Sequence, residues 1–574
     1  MPAYPIITNF TSGEASPRLD GRVDVSKYYN SCRTLQNMIV HPHGGASRRF
    51  GTVYVAETKD SSKKSRLIPF QYSITQAYIL ELGDFYMRFF RNNGQIVSGT
   101  AAYEIGSPYS EDNLAAIKYA QNADTMRIAN QSVSPQELTR SGHTAWTLTT
   151  STFTSSPSLP WSEGNYPGAV SFYEERCVYA GTPSSPQSMW LSATGAYNDM
   201  VSGAADDDYM NLTLAADQVN VIRWMTPGRY LNVGTVEGEW VVSSGSDDAA
   251  MTPTQRKARR VTNYGSADIQ ALPIGNAILF LQRAGRKVRE LAYQYVQDNY
   301  AAPDLTLIAE HITSGGIKEW AFQKEPDAIL WCVRNDGKLL GLTYNKEQEV
   351  VAWHIHETDG EFESVAVIPV SGYDQVWFIV NRTVDGSTKR YVEYMAPDFG
   401  DDQDACWFVD CGLAYSGTAA TELSGLDHLE GKFVSILADG AVSPDRTVLS
   451  GSITIPYAAA SVTVGLKFKS ILEPMRLEIQ GAQGTSQGRI KKIHQLAVRF
   501  YKTLGAKIGS ASGTLDTISF RTPSDLMGQP PALFTGDKVI PFPGGWDRNG
   551  FIRIEQEQPL PMTVLSIMPT VSTE

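Results

Sequence analysis

Apolar runs of about five residues, each answered by a second run across a short polar turn, recur through the first two thirds of the chain. The clearest is "AILWCVRNDGKLLGLTY", residues 328–344. Ile329 to Val333 are apolar, Asn335-Asp336-Gly337 turns the chain, and Leu339 to Tyr344 runs back. An Asp-Gly step tolerates the positive φ that a tight turn needs, so the pattern predicts a β-hairpin. A twin, "AILFLQRAGRKVRELAY", lies at 277–293, 51 residues earlier (328 − 277). Ala277/Ala328, Ile278/Ile329, Leu279/Leu330, Arg283/Arg334, Lys287/Lys338, Leu291/Leu342 and Tyr293/Tyr344 are identical without gaps.

Weaker copies begin at Ala77 ("AYILELGDFYMRFFRNNG"), Thr125 ("TMRIANQSVSPQELTRSG"), Arg176 ("RCVYAGTPSSPQSMWLS"), Arg229 ("RYLNVGTVEGEWVVS") and Gln375 ("QVWFIVNRTVDGSTKRYVEYM"). A period of roughly 50 residues, with paired strands and a turn in each unit, predicts a β-propeller of about seven blades over residues 66–400. Blades pack on neighbours through both faces, which accounts for inner strands that are apolar runs instead of alternations. Helix is scarce. The best candidate is "SEDNLAAIKYA" from Ser110, with Glu111 and Asp112 in its first turn, read as a short insertion between the first two units.

The flanks break the period. Residues 1–65 read as an extended leader that packs across a larger body, with turn residues at each end and a strand or one helical turn between Tyr28 and Val40. Residues 401–574 read as a β-sandwich or barrel module, built from half-buried strands such as "KKIHQLAVRFYKT" and "GFIRIEQEQPLPMTVLSIMPTV". Within it, 425–470 reads as a small inserted barrel with turns at Ala438-Asp439-Gly440 and Gly451. The expected fold class is therefore all-β: propeller, extended leader, and C-terminal sandwich or barrel modules.

Composition narrows the chemistry. The 574 residues carry a net charge of −12 with 19% charged residues, and Arg and Lys are scattered. Tight DNA binding, which works by neutralising phosphates, is disfavoured, whereas repulsive contact along a channel wall is not. No apolar run reaches the ~20 residues of a membrane span. The opening "MPAYPIITNF" lacks the basic and apolar regions of a secretion signal, so folding in a cytoplasm is expected. The five cysteines (Cys32, Cys177, Cys332, Cys406, Cys411) are scattered and odd in number; reduced, buried thiols are the reading.

P-loop, GxGxxG, HExxH, GxSxG and EF-hand patterns are missing from the sequence, so neither catalytic nor cofactor nor metal residues are expected. His354 and His356 share one face of an apparent strand and read as a solvent-facing pair in preference to metal ligands; His41 and His43 are read alike. "TRSGHTAWTL", residues 139–148, misses the Asp-box of sialidases: Ser141 stands where the Asp belongs, and Trp146 falls one place too late. One cluster stands out in an acidic chain. Arg18, Arg22, Arg33, Arg48 and Arg49 make the leader locally basic, which suits docking on an acidic partner through bidentate Arg–carboxylate pairs.

The leader phrase "GEASPRLDGRVDVSKYYNSCRTLQNMIVHPHGGASRRFGT" resembles the start of tail nozzle (tail tubular protein B-like) proteins of short-tailed bacteriophages. So do "SRLIPFQYSITQAYILELGDFYMRFFRNNG", "YPGAVSFYEERCVYAGTPSSPQSMWLS", "NYGSADIQALPIGNAILFLQRAGRKVRELAYQY" and "GLDHLEGKFVSILADG". The resemblance spans nearly the whole chain, more strongly up to about residue 440. It implies a structural virion protein, a subunit of a homo-hexameric nozzle ring in the virion tail, assembled in the host bacterial cytoplasm. That ring would extend the DNA exit channel of the head–tail connector complex, retain the genome before ejection, and carry tail fibres or spikes. Its partners would be the adaptor (head-to-tail connector) protein, fibre or spike proteins, and genomic DNA sliding through an acidic lumen without specific binding. Small-molecule substrates are not expected. The five arginines become the expected intersubunit or adaptor contacts. The alternatives are a receptor-binding tail module and a propeller-type glycan depolymerase with tunnel carboxylates.

Overall fold

A computed structural model describes residues 3–216, 218–246, 249–479, 484–527 and 529–574, with the side chain of residue 297 left out. Its contacts divide the chain into two compact units: residues 1–62, 320–367 and 372–574 in the first, and 63–319 with 368–371 in the second.

The periodic hairpins form as their apolar runs dictate. Ala77–Gly83, Arg176–Ala180, Leu231–Thr235, Ala277–Leu281 and Ile329–Arg334 are buried at every position. A strand buried on both faces lies inside a stack of sheets. Each hairpin is the centre of a four-stranded antiparallel sheet; six are built from one stretch of chain, and the seventh takes its fourth strand from the leader. Seven such sheets occur, and the fold is a β-propeller.

Blades 1–5 make up the second unit, spanning residues 66–106, 118–150, 169–213, 222–262 and 272–301. Their facing sides share cores. Ile68, Leu80 and Phe89 of blade 1 meet Met126, Leu138 and Trp146 of blade 2. Trp224 of blade 4 meets Phe280 of blade 5. Trp146, the residue that spoiled the Asp-box, is core filling between Phe70, Tyr78 and Phe89. The single α-helix among the described residues is one turn, Glu111–Leu114, between blades 1 and 2; the chain returns to strand at Lys118. A helix this short has little intrinsic stability.

The first unit is woven from both ends of the chain. Five leader strands, β1 (Gly13–Glu14), β2 (Ser31–Gln36), β3 (Met38–Val40), β4 (Ala46–Arg48) and β5 (Thr52–Glu57), enter three different sheets. Blade 6 (317–356) continues through β1 and β2 into strands 470–474, 552–556, 507–510 and 515–517. β3 and β4 pair into a five-stranded sheet with 563–573, 491–503 and 534–541. One core joins them, with Phe10, Leu35 and Met38 packed among Leu496, Phe500, Ile554 and Ile567. The expected C-terminal sandwich is present, and the leader is part of it instead of lying across it.

Blade 7 is made of strands 361–370, 373–384 and 387–395, and β5 is its fourth, pairing antiparallel with 387–395 from Tyr391↔Glu57 to Met395↔Thr52. On its other edge, Gly412↔Val53 starts the distal sheet in parallel. That sheet, of strands 410–424, 452–466, 433–438 and 441–447, has its own core around Val434, Ile436, Val462 and Val464. Among the described residues its order is open, strand 441–447 not being laddered back to 410–424. Asp439 (φ 45°) and Gly440 (φ 71°) form the foreseen turn.

Candidate functional site

The leader arginines separate into two kinds. Arg48 and Arg49 end and follow β4, and both are buried in their own unit. All five N–H groups of the Arg49 guanidinium are used. Nη1 and Nη2 donate to the two carboxylate oxygens of Asp410 at 2.7 Å each, Nε donates to Asn37 Oδ1, and the remaining two reach the Phe50 and Glu357 carbonyls. Phe468 lies 3.8 Å from the guanidinium carbon. Burial alone would raise the Asp410 carboxyl, but Arg49, and behind it Arg382, hold it below its usual value. Arg48 donates to the carbonyls of Gln558, Leu560 and Phe468 and to Ser470 Oγ. Burial and the neighbouring Arg49 lower its pKa to about 9.

The docking role expected for Arg48 and Arg49 is therefore corrected: they clamp the leader to the C-terminal strands of the same chain. A guanidinium is retained in a core only where its donors are met, and here the main chain and Asp410 meet them. Arg18, Arg22 and Arg33 are exposed. Arg22 pairs with Asp24 at 2.8 Å, and Arg33 pairs with Glu473 while covering Phe551.

The histidine pair is also corrected. His354 and His356 are fully buried, with His354 Nδ1 2.7 Å from His356 Nε2. Thr343 donates its hydroxyl to the Val40 carbonyl (2.8 Å), so it accepts from His354 Nε2–H (3.2 Å). That leaves His354 Nδ1 bare, to accept from His356 Nε2–H. The arrangement holds both rings neutral. Burial, and then His41, lower His354 to about 3, and burial takes His356 well below its ordinary value. Gly341 makes room, since a Cβ there would lie 2.0 Å from His354 Cε1. Among the described residues no group of three or more His, Cys, Asp or Glu is placed to hold a metal.

The first unit holds a cavity of about 1020 Å³. Its wall is mainly apolar, with Ile39, Phe50, Ile329, Met395, Phe399 and Phe408 among its residues. Three polar residues on this wall form a chain: Asp327 Oδ2 lies 2.8 Å from His41 Nδ1, and His41 Nε2 lies 2.5 Å from Ser47 Oγ. His41 follows β3, Ser47 is the middle of β4, and Asp327 precedes the blade 6 hairpin. The hairpin turn between β3 and β4, closed by His41 N donating to the Gly45 carbonyl, sets His41 beside Ser47. Sequence reasoning singled out His41 but neither Ser47 nor Asp327; the one available signal was the Gly-Gly turn that makes His41 and Ser47 strand neighbours. His43 also lines the cavity.

No family model matches the sequence, and no curated protein matches it. Solved structures similar to it are propellers. The WD40 repeats of RRP9 align with a TM-score of 0.39 at 8% identity, covering 61% of this chain and 99% of that one. The Pan2 WD40 domain of Neurospora crassa aligns at 0.36 and 10% identity, covering 61% and 96%. At these scores the likeness adds nothing to the sheet order, which itself carries the fold class.

Proposed function

We propose that the protein is a structural subunit of a bacteriophage tail nozzle, a hexameric ring that extends the DNA exit channel. The observation that carries this reading is the resemblance of long phrases, running from the leader through the blades into the distal sheet. The structure is compatible in kind. The leader phrase supplies strands to three sheets of the first unit, and its Arg49 is paired with Asp410 inside the fold, as suits a part that bears load. The net charge of −12 suits a lumen along which DNA slides, with repulsion confined to roughly a Debye length of 8 Å from the wall. Arg18, Arg22 and Arg33 remain the candidate contacts with a neighbouring subunit or an adaptor.

Electron microscopy of the purified protein, alone and with portal and adaptor proteins, tests the proposal. Six-fold rings with a central hole are expected; a protein that stays monomeric in every mixture would sink it. Replacing Arg18 and Arg22 by Glu is expected to weaken ring assembly while leaving the fold intact.

A further inference from the structure

We infer that Ser47, His41 and Asp327 form a nucleophilic acyl-transfer site, and that the cavity they line receives an ester with an apolar acyl chain. The inference goes beyond the nozzle reading and stands independently of it. Its basis is a directed chain of hydrogen bonds. The Asp327 carboxylate accepts from His41 Nδ1–H, so the neutral ring leaves Nε2 bare, and the Ser47 hydroxyl donates to it. A base within hydrogen-bond reach of a hydroxyl, itself oriented by a carboxylate, is the arrangement that activates a serine, and it is recognised by geometry regardless of sequence order.

Three further observations favour chemistry over mere hydrogen-bond satisfaction. The chain is held on ordered structure: Ser47 is laddered on both sides, to Ile39 and to Thr563. The three residues are half-buried, with about a third of the His41 side chain and a fifth of the Asp327 side chain exposed, so a substrate can reach them. All three face one cavity, at about 1020 Å³ large enough for a small ester with a medium-length acyl chain. The cavity's apolar wall selects the acyl part. Arg499 and Lys502 also line the cavity, each paired with an aspartate (Asp537 and Asp401).

The reaction balances without a cofactor. Ser47 Oγ attacks the ester carbonyl carbon while its proton passes to His41 Nε2. The tetrahedral intermediate collapses, the C–O bond to the alcohol breaks, and the leaving alkoxide takes that proton. Water then gives a proton to His41 Nε2 and attacks the acyl-serine ester. The acid leaves, and Ser47 recovers its hydrogen from Nε2.

The test uses the full-length protein with 4-nitrophenyl acetate and octanoate, and a fluorophosphonate probe followed by peptide mass spectrometry. Octanoate is expected to be cleaved at least about tenfold faster per unit concentration than acetate, as an apolar pocket rewards added methylenes. The probe is expected to label Ser47 above every other serine. Ser47→Ala should abolish labelling and reduce hydrolysis to the level of buffer, and Asp327→Asn should slow labelling at least tenfold while His41 stays in place. Thiol background is small because all five cysteines are buried. The labelling site in the unaltered protein decides the matter even where a variant folds poorly. Failure to label Ser47, or hydrolysis unchanged in a folded Ser47→Ala protein, would overturn the site; equal rates on the two esters would overturn the apolar acyl assignment.

Discussion

Arg49 and Asp410 face each other through two parallel 2.7 Å hydrogen bonds, across 361 residues of chain and with both side chains only 1% exposed. The pair fixes where the leader meets the start of the distal sheet. Removing one partner strands the other charge in the core, which costs more than the pair itself contributes. Arg49→Met or Asp410→Asn is expected to lower stability by about 3–5 kcal/mol, read as an earlier first transition in denaturant unfolding. The double variant should recover part of that loss. An unchanged transition in both single variants would show that the clamp is dispensable.

The same carboxyl sets an acid response. Its folded pKa lies below the ordinary value, so the stabilisation is present above the unfolded pKa of about 4 and is lost as pH falls through the folded value. Asp410→Asn should flatten the acid limb of the stability profile below about pH 4.

His354 and His356 act higher on the scale. Both are held neutral when folded, His354 down to about 3, whereas the unfolded chain takes up their protons near 6.5. Their contribution is complete above about 6.5 and falls with decreasing pH, by about 1.4 kcal/mol per pH unit for each ring. His354→Gln should remove about one such slope between pH 6 and pH 4, measured by urea unfolding at several pH values. A profile of unchanged steepness would contradict the neutral pair.

Cys332 is a fully buried member of blade 6, and burial pushes its thiol far up. In the intact protein, a thiol-specific chromogenic reagent should find none of the five cysteines; in denaturant it should find all five. Cys332→Ser should cost about 1–3 kcal/mol by burying an unmatched hydroxyl, whereas Cys332→Val should be close to neutral.

Gly51 joins β4 to β5 against the strand-leading segment at Val409. A Cβ at this position would lie 1.8 Å from the Val409 carbonyl oxygen, so Gly51→Ala must push the two segments apart. A loss of at least about 1–3 kcal/mol is expected, with faster proteolysis of the distal sheet than of the blades. Equal resistance in variant and parent would argue that this crossing yields without cost.

The hairpins were legible because their signal is local. Ala277/Ala328 and Leu279/Leu330 repeat since corresponding positions of successive blades fill corresponding slots, and the seven starts read from sequence fall on the inner strands of the seven sheets. Cys332 stands 51 residues after Leu281, at the same place in the repeat, and both are buried. The one-turn helix at Glu111 was foreseen in place but is shorter than "SEDNLAAIKYA" suggests, because the chain is drawn into a blade 2 strand at Lys118. A strand between Tyr28 and Val40 was legible and is present as β2 and β3, but the partners of the leader's strands were not. β5 has no neighbour in sequence to pair with; its partners, Tyr391 and Gly412's strand, lie more than three hundred residues away.

The sequence by itself therefore determined the all-β class and the repeat of about 50 residues, since these follow from periodicity within one turn or one blade length, while the tertiary structure set the count at seven. Only the tertiary structure decided what the charged and polar residues do. Arg49 reads as a surface cation until Asp410 arrives from the far end of the chain, and the His354–His356 pair reads as solvent-facing until β3 is laid against its strands through Val40. Ser47 and Asp327 read as ordinary polar residues until the fold sets His41 between them. A side chain's chemistry depends on which distant groups share its desolvated space, and that is information a local pattern does not carry.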